Sequence, residues 1–273
     1  MINKIKLGLY HIYIYIFKNT NRYIHIYWFN RKVNFGDSIN LYIVKNLSKK
    51  KPIWIYPKYW LSDNYLCIGS ILQEASGNSI VWGSGFISDN ISQVKKPKKI
   101  YAVRGPKTRQ KLLDFGIDCP KVYGDPALLL PKIYSPKIEK KYKLGIIPHY
   151  IDKGHSWLKS IEDENDIKLL DIQEHNPLKF IDDLLSCENI ASSSLHGLIV
   201  SDAYGIPSIW IKLSNNIIGD DFKFYDYFES VKRLNEKPIK IISTSRVEDI
   251  LKFKKHYKID IDLDRLMESC PFR

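Results

Sequence analysis

Residues 188–213 read ENIASSSLHGLIVSDAYGIPSIWIKL. ENIASSS (188–194) is a short apolar run ending in three serines, and LHGLIVSDAYG (195–205) has the patterning of a helix. PSIWIKL (207–213) is a second apolar run, rich in β-branched and aromatic residues. Gly205-Ile206-Pro207 closes the helix, because glycine accepts the left-handed turn past a helix end and proline cannot continue it. Strand, helix and strand in that order form the unit from which parallel sheets are built.

The same alternation runs outward from this segment. Upstream lie LGIIPHY (144–150) as strand and loop, a helix near 153–162, DIKLLDI (166–172) as strand and NPLKFIDDLLSC (176–187) as helix. Nearer the amino end, YIHIYWF (23–29), NYLCIGS (64–70), SIVWGSG (79–85) and KKIYAV (98–103) read as strands running into loops. NFGD (34–37) is a turn whose Asp37 can cap a helix through about Leu47. GPKTRQKLLDF (105–115) is a helix with Pro106 in its first turn and Gly116 just past its end, and KVYGDPALLLP (121–131) closes this half. The polar, Pro- and Lys-rich KIYSPKIEKKYK (132–143) reads as a linker. The expected fold is α/β: two Rossmann-like doubly wound domains, 1–131 and 144–245, facing across a cleft, with a helical tail over 246–273. Ligands of such sheets bind outside the carboxyl ends of the strands.

The chain has 273 residues, 44% hydrophobic and 26% charged, with a formal net charge of +12. That sign suits nucleic acid, an anionic membrane face or a phosphorylated substrate. No helix-turn-helix, zinc module or aromatic-basic sheet motif is visible, so no nucleic-acid partner is expected. The lysine runs Ser48-Lys49-Lys50-Lys51 and Lys95 to Lys99 read as solvated loop edges. Cys67, Cys119, Cys187 and Cys270 show no metal-ligand spacing, which fits a reduced, cytoplasmic protein with no metal site. No span approaches the roughly 20 apolar residues of a membrane helix. LGLYHIYIYIF (7–17), within an extra segment covering 1–20, reads as an added strand, a core helix or an interfacial segment resting on a membrane.

A helix starting near Leu195 offers free backbone N–H groups and a positive dipole end, which suits an anion, and Gly197 leaves room for its approach. Ser192, Ser193 and Ser194 can cap that helix or add hydroxyl donors. His196 falls in the first turn, either as a general acid tuned by a bound dianion or as a residue that merely caps or packs. Arg104 in AVRGPKTRQ (102–110) stands beside a second helix start, where a guanidinium can grip a phosphate or carboxylate. Gly83, Ser84 and Gly85, then Asp125, then His149, sit at further strand ends. GDDFKFYDYF (219–228) sets Lys223, Asp226 and Tyr227 together, as an anion ligand or a plain ion pair. Asp202 is the acidic residue that a ribose-binding site in the second half would use.

In order, NFGDSIN (34–40), VWGSGFI (81–87), AVRGPKT (102–108), GDPALLLP (124–131), GIIPHYID (145–152), SSSLHGLIVSDAYGIP (192–207) and FKFYDYF (222–228) resemble the polysaccharide pyruvyl transferase family, in its bacterial exopolysaccharide and capsule branch. The resemblance implies a fold like that of the two-domain GT-B glycosyltransferases. It implies transfer of a pyruvyl group from phosphoenolpyruvate onto two hydroxyls of a sugar as a cyclic ketal, with no cofactor. The implied acceptor is a saccharide, lipid-linked or nucleotide-linked, met in the cytoplasm with contact at the inner membrane face. It also implies His196 as general acid and Arg104 as donor clamp. Ser193, Ser194, Leu195, Gly197, His149 and Lys223 would surround the donor, and Asn34, Gly36, Asp37, Gly83, Ser84, Gly85 and Asp125 would form the acceptor side or cleft. Many relatives carry an arginine where this chain has Ser194, a place that Lys223, Lys212 or His149 would fill. A nucleotide-sugar glycosyltransferase of the same architecture is the alternative. Trp28, Trp60 and Trp82 are candidates for an acceptor wall, or for core.

Overall fold

The computed structural model describes residues 4–18, 20–219, 221–254 and 257–272; the other residues of the expected amino-terminal segment and carboxyl-terminal tail lie outside these. The chain opens with α1 (Lys4–Lys18), β1 (Tyr23–Tyr27), α2 (Phe35–Ser48), β2 (Lys51–Trp54), β3 (Asn64–Leu66), β4 (Ser79–Trp82), β5 (Lys99–Ala102) and α3 (Pro106–Asp114). After a 3-10 stretch over Pro126–Lys132 come β6 (Leu144–Ile147), α4 (Ser156–Ser160), β7 (Ile167–Leu169), α5 (Pro177–Leu185), β8 (Ile190–Ser192) and α6 (Leu195–Ala203). The remainder is β9 (Ser208–Lys212), α7 (Phe222–Ser230), β10 (Ile239–Lys240), α8 (Val247–Leu251) and α9 (Leu263–Glu268).

The strands form two five-stranded parallel sheets, ordered β2-β1-β3-β4-β5 and β10-β9-β8-β6-β7. Numbered within its own half, each sheet has the order 2-1-3-4-5, so the two halves repeat one doubly wound topology. Each sheet reverses its winding once, between β1 and β3 and between β6 and β8. Connections leave those two neighbours in opposite directions, which opens a crevice at their carboxyl ends.

Strand alternation sorts the core into layers. Ile24 and Ile26 of β1 face a cluster that also holds Phe35, Ile39, Phe180, Leu195 and Leu198, so one apolar layer spans both halves. The outer faces carry separate clusters, Leu66, Val81 and Val103 for the first sheet and Ile146, Ala191 and Ile211 for the second. The halves are tied by backbone as well: the Phe35 N–H donates to the Ile172 carbonyl at 2.8 Å. The Phe35 and Phe180 rings lie 4.5 Å apart. Residues 134–141 of the expected linker carry neither helix nor strand.

One local expectation is corrected and another refined. The run read as a solvated loop edge ends in β2, an edge strand paired in parallel with β1 from Tyr23 against Lys51. An edge strand pairs on one side only and needs little apolar sequence. The expected helical tail holds two short helices, α8 and α9, and residues 257–262 before α9 carry neither helix nor strand; α9 packs back on the first half, where the Trp82 indole donates to the Leu266 carbonyl at 3.0 Å.

Candidate active site

The two crevices open into one cavity of about 310 Å³. The first half supplies Tyr27 at the end of β1 and Phe29 beyond it, Asn34 and Asp37 at the start of α2, Tyr56 beyond β2, and Gly69 and Ser70 beyond β3. The second half supplies His149 and Tyr150 beyond β6, Ser194, Leu195 and His196 at the start of α6, and Lys223 from α7. A larger opening of about 660 Å³ lies at the amino ends of β1 and β3, around Tyr23 and Asp63, and contains none of the predicted site residues. The smaller cavity holds the polar groups at the switch points, and that is where a parallel sheet gathers a ligand.

His196 reaches this wall by a specific route. Its Nε2 points at Asp125 Oδ2 across 3.6 Å, and Asp125 is buried. Oδ1 of the same carboxylate is held by the Ala127 N–H at 2.9 Å, because Asp125 caps the 3-10 stretch. Both facing atoms, Asp125 Oδ2 and His196 Nε2, are buried without a hydrogen-bond partner. Buried polar atoms are nearly always satisfied, so a facing pair of orphans at a cavity wall is unusual. The other side of the ring lies on Gly36: a Cβ there would come within 2.1 Å of Nδ1. NFGD therefore needs its glycine to admit an imidazole from the other half.

The remaining titratable wall is shifted by burial. The Asp37 carboxyl, accepting only the Phe29 N–H at 3.1 Å, is pushed up to about 8 by desolvation. Burial, and then the Lys223 cation, lower the His149 imidazole to about 3. His149 Nδ1 accepts the Ile151 N–H at 3.4 Å, which leaves the ring proton on Nε2. Burial, and then the Arg104 cation, lower the Lys223 ammonium to about 8. Among the described residues Lys223 has no carboxylate at ion-pair distance, whereas Lys212 is paired with Asp221 at 2.9 Å. Near neutral pH these three groups are thus a neutral carboxyl, a neutral imidazole and an ammonium with no ion-pair partner among the described residues. Ser194 is the N-cap of α6, yet its hydroxyl caps nothing.

Other predicted residues lie behind the wall. Arg104 is fully buried and does not face the cavity as expected. Its Nε donates to Asp226 at 2.9 Å, one terminal nitrogen to Ser70 Oγ at 2.6 Å and the other to the Phe86 carbonyl at 2.7 Å. Asp226 also takes the Thr108 N–H at 2.8 Å and the Thr108 hydroxyl at 2.7 Å, so α7 is locked onto the start of α3. Gly85 makes room for the guanidinium, since a Cβ would stand 2.5 Å from its central carbon. Gly83 turns with φ +90 against Pro126, and the Ser84 hydroxyl donates to the Gly69 carbonyl at 3.0 Å. Ser193 accepts the His149 N–H at 2.8 Å and donates to Asp152 at 3.2 Å. Gly197 serves packing rather than ligand approach: a Cβ would meet Ser192 Oγ at 2.3 Å. Trp60 and Trp82 are core, and none of the three candidate tryptophans lines the cavity.

Sequence reading did not single out Tyr27, Phe29, Arg31, Tyr56, Ser70, Glu74 or Tyr150, all of them on the wall. Several follow the carboxyl ends of β1, β2 and β3, a signal available only once strand order is known. Asp202 is spent inside the second half. It accepts the Tyr227 hydroxyl at 2.7 Å, Arg233 at 2.9 Å and Tyr257, leaving nothing to offer a ribose.

Fold and site together define a parallel α/β protein with a facing histidine–carboxylate pair and a polar cavity at the joined switch points of two sheets. A sequence profile of the family described as polysaccharide pyruvyl transferase matches residues 8–215, most of the chain, and the chain belongs to that family. Similar proteins include an uncharacterized protein of Acanthamoeba polyphaga mimivirus, 31% identical over 75% of this chain and 73% of that protein. The succinoglycan biosynthesis protein ExoV of Rhizobium meliloti (strain 1021) is 26% identical over 90% of this chain and 77% of its own length. A crystal structure of an uncharacterized Klebsiella pneumoniae protein overlaps 89% of this chain and 99% of its own, with a TM-score of 0.46 and 14% identity.

Proposed function

We propose that this pyruvyl transferase takes its pyruvyl group from phosphoenolpyruvate and sets it on two hydroxyls of a saccharide as a cyclic ketal, during synthesis of a surface polysaccharide. The naming of ExoV for succinoglycan synthesis supports that setting. The two sheets then act as paired GT-B-like domains, acceptor on the first and donor on the second. The observation that carries the reading is the orphaned His196–Asp125 pair at the wall of a cavity whose second-half side also holds Lys223 and the amino end of α6.

Phosphoenolpyruvate brings a phosphate and a carboxylate on one carbon, and Lys223, the His149 Nε2–H and the α6 amides are the donors for them. Lys223 takes the place of the arginine that Ser194 lacks. His196, as imidazolium stabilised by Asp125, gives its proton to the methylene carbon, which becomes the methyl group. An acceptor hydroxyl oxygen bonds to the adjacent carbon, and its proton returns to His196. The carbon–oxygen bond to phosphate then breaks, a second hydroxyl closes the ring, and its proton leaves with phosphate. Asp37, protonated near neutral pH, stands on the acceptor side as the relay for that last proton. Tyr27, Phe29, Tyr56 and Tyr150 offer faces on which a sugar ring can rest.

The test is incubation with phosphoenolpyruvate and a panel of saccharide acceptors, following phosphate release and a ketal by mass spectrometry. Acceptor-dependent phosphate release that His196→Gln abolishes is the expected result. Consumption of a nucleotide sugar in place of phosphoenolpyruvate would overturn the reading.

A further inference from the structure

Helix α1 is apolar on two opposite sides. Its inner side is docked on the first sheet: His11 and Ile14 are buried, and His11 Nε2 accepts the Tyr56 N–H at 3.0 Å. The neighbouring Tyr10 hydroxyl donates to the Trp54 carbonyl at 3.0 Å. Half a turn round, Leu9, Ile12, Tyr13, Ile16 and Phe17 share one stripe and are 50–63% exposed. A surface helix ordinarily turns charge to water on that side, and a contiguous exposed apolar stripe marks a surface of interaction. Among the described residues no helix is long and apolar enough to cross a membrane.

Cations gather at the carboxyl end of the same helix. Lys18 Nζ lies 3.2 Å from the Tyr23 hydroxyl. Lys51 is the register partner of Tyr23, and its N–H donates to the Arg22 carbonyl at 3.0 Å. The Tyr23 phenol is held below its usual range by its hydrogen bond from Lys18, with the Lys51 and Arg22 charges adding to it. The sequence has no acidic residue before Asp37, so the helix itself brings no carboxylate to this group. Among the described residues none of Lys18, Arg22, Lys49, Lys50 or Lys51 enters an ion pair.

We propose that the outer face of α1, with the basic cluster at its end, seats the protein on the surface of an anionic lipid bilayer. The two halves of the patch answer the two parts of such a surface. Aliphatic and aromatic side chains enter the headgroup–acyl boundary, while lysine and arginine remain with the charged headgroups. A second copy of the chain is the poorer occupant, because two copies each carrying a net +12 repel and an anionic bilayer attracts. Docking this way also orients the enzyme. His11 holds the backbone of Tyr56, and Tyr56 lines the cavity, so the acceptor side of the site stands beside the bilayer. The inference does not depend on which donor or acceptor the cavity takes.

The test is co-sedimentation of the full chain with vesicles of phosphatidylcholine and phosphatidylglycerol at 7:3, against vesicles of phosphatidylcholine alone. The expected result is at least tenfold stronger partitioning onto the anionic vesicles, reversed by raising salt, since the Debye length shrinks several-fold. Ile12→Glu/Ile16→Glu should lower that partitioning at least tenfold, and Arg22→Glu/Lys51→Glu should remove the preference for anionic vesicles. These positions are at the surface and away from the cavity, so circular dichroism and turnover on a soluble acceptor should not change. The proposal is overturned by no binding to either vesicle, by equal binding to both, or by binding that Ile12→Glu/Ile16→Glu leaves intact. A wild-type dimer that the same double substitution converts to monomer would also overturn it, by giving the face to a second copy.

Discussion

Among the described residues two buried pairs of a basic and an acidic side chain cross between the halves, and they differ in one respect. Arg104 and Asp226 meet at 2.9 Å, and the surrounding hydroxyls, amide and carbonyl leave every nitrogen and oxygen of the two side chains with a partner. Asp125 and His196 face each other at 3.6 Å with nothing between them and no other partner on the facing atoms. A pair whose every polar atom is partnered fixes geometry; here it joins α7, which carries Lys223, to the start of α3. A pair whose facing atoms are unpartnered beside a cavity keeps hydrogen-bonding capacity unspent. On the proposed function the satisfied arginine is a strut and the orphaned histidine the tool, although the sequence presents both as a basic residue beside a helix start.

The largest effect expected is on turnover at the His196–Asp125 pair. His196→Ala should lower kcat by about 10²–10⁴, with phosphoenolpyruvate binding retained. Asp125→Asn should lower it less, since the ring stays in place without its counter-charge. Steady-state kinetics on protein of unchanged circular dichroism checks both. The Arg104–Asp226 pair should respond in stability: Arg104→Met leaves Asp226 buried and unpaired, at a cost of about 3–5 kcal/mol in denaturant titration. If Arg104→Met were instead stable and inactive, strut and tool would have to be exchanged.

Gly36→Ala sharpens the contrast. The backbone there tolerates alanine, but the methyl group would occupy the place of the His196 ring. The expected loss of kcat is roughly tenfold to 10²-fold with little change in unfolding midpoint, and almost no further loss when added to His196→Ala. Lys223→Ala should raise the KM for phosphoenolpyruvate by about tenfold, worth one unsaturated charge contact. Lys212→Ala, which breaks only an ion pair with Asp221, should leave that KM unchanged.

The smallest effect is on the pH profile. Asp37 near 8 and Lys223 near 8 titrate together: above that pH one gains a negative charge while the other loses a positive one. Affinity for phosphoenolpyruvate should fall as pH rises through 8. Stability follows the same shifts with opposite signs in two windows. The unfolded chain ionises Asp37 near 3.8, so raising pH from about 4 to 8 costs stability; it keeps Lys223 charged to about 10.5, so stability recovers between about 8 and 10.5. Asp37→Asn, which keeps an acceptor for the Phe29 N–H, should abolish the loss between 4 and 8 in thermal scans. It should lower kcat about tenfold if Asp37 relays a proton, and leave kcat unchanged if it is only wall.

The repeated α/β architecture was legible because strand and helix periods alternate cleanly and because Pro and Gly mark the helix ends. The start of α6 was legible for the same reason: serines, a histidine and a glycine at a strand-to-helix turn. The Arg104 strut was not, because its partner Asp226 lies 122 residues away and burial leaves no local trace. Nor was the reason for Gly36 and Gly197, glycines required by side chains arriving from elsewhere in the fold. The aromatic wall at Tyr27, Phe29 and Tyr56 depended on strand order, which periodicity does not fix.

The most direct test of the assignment to His196 is to run pyruvyl transfer in deuterium oxide and compare wild type with His196→Gln. Wild type should place one solvent deuterium in the methyl group of the product. The folded variant should give neither product nor deuterated phosphoenolpyruvate. Uptake of deuterium by His196→Gln at the wild-type rate would contradict the account, because the proton would then come from another group.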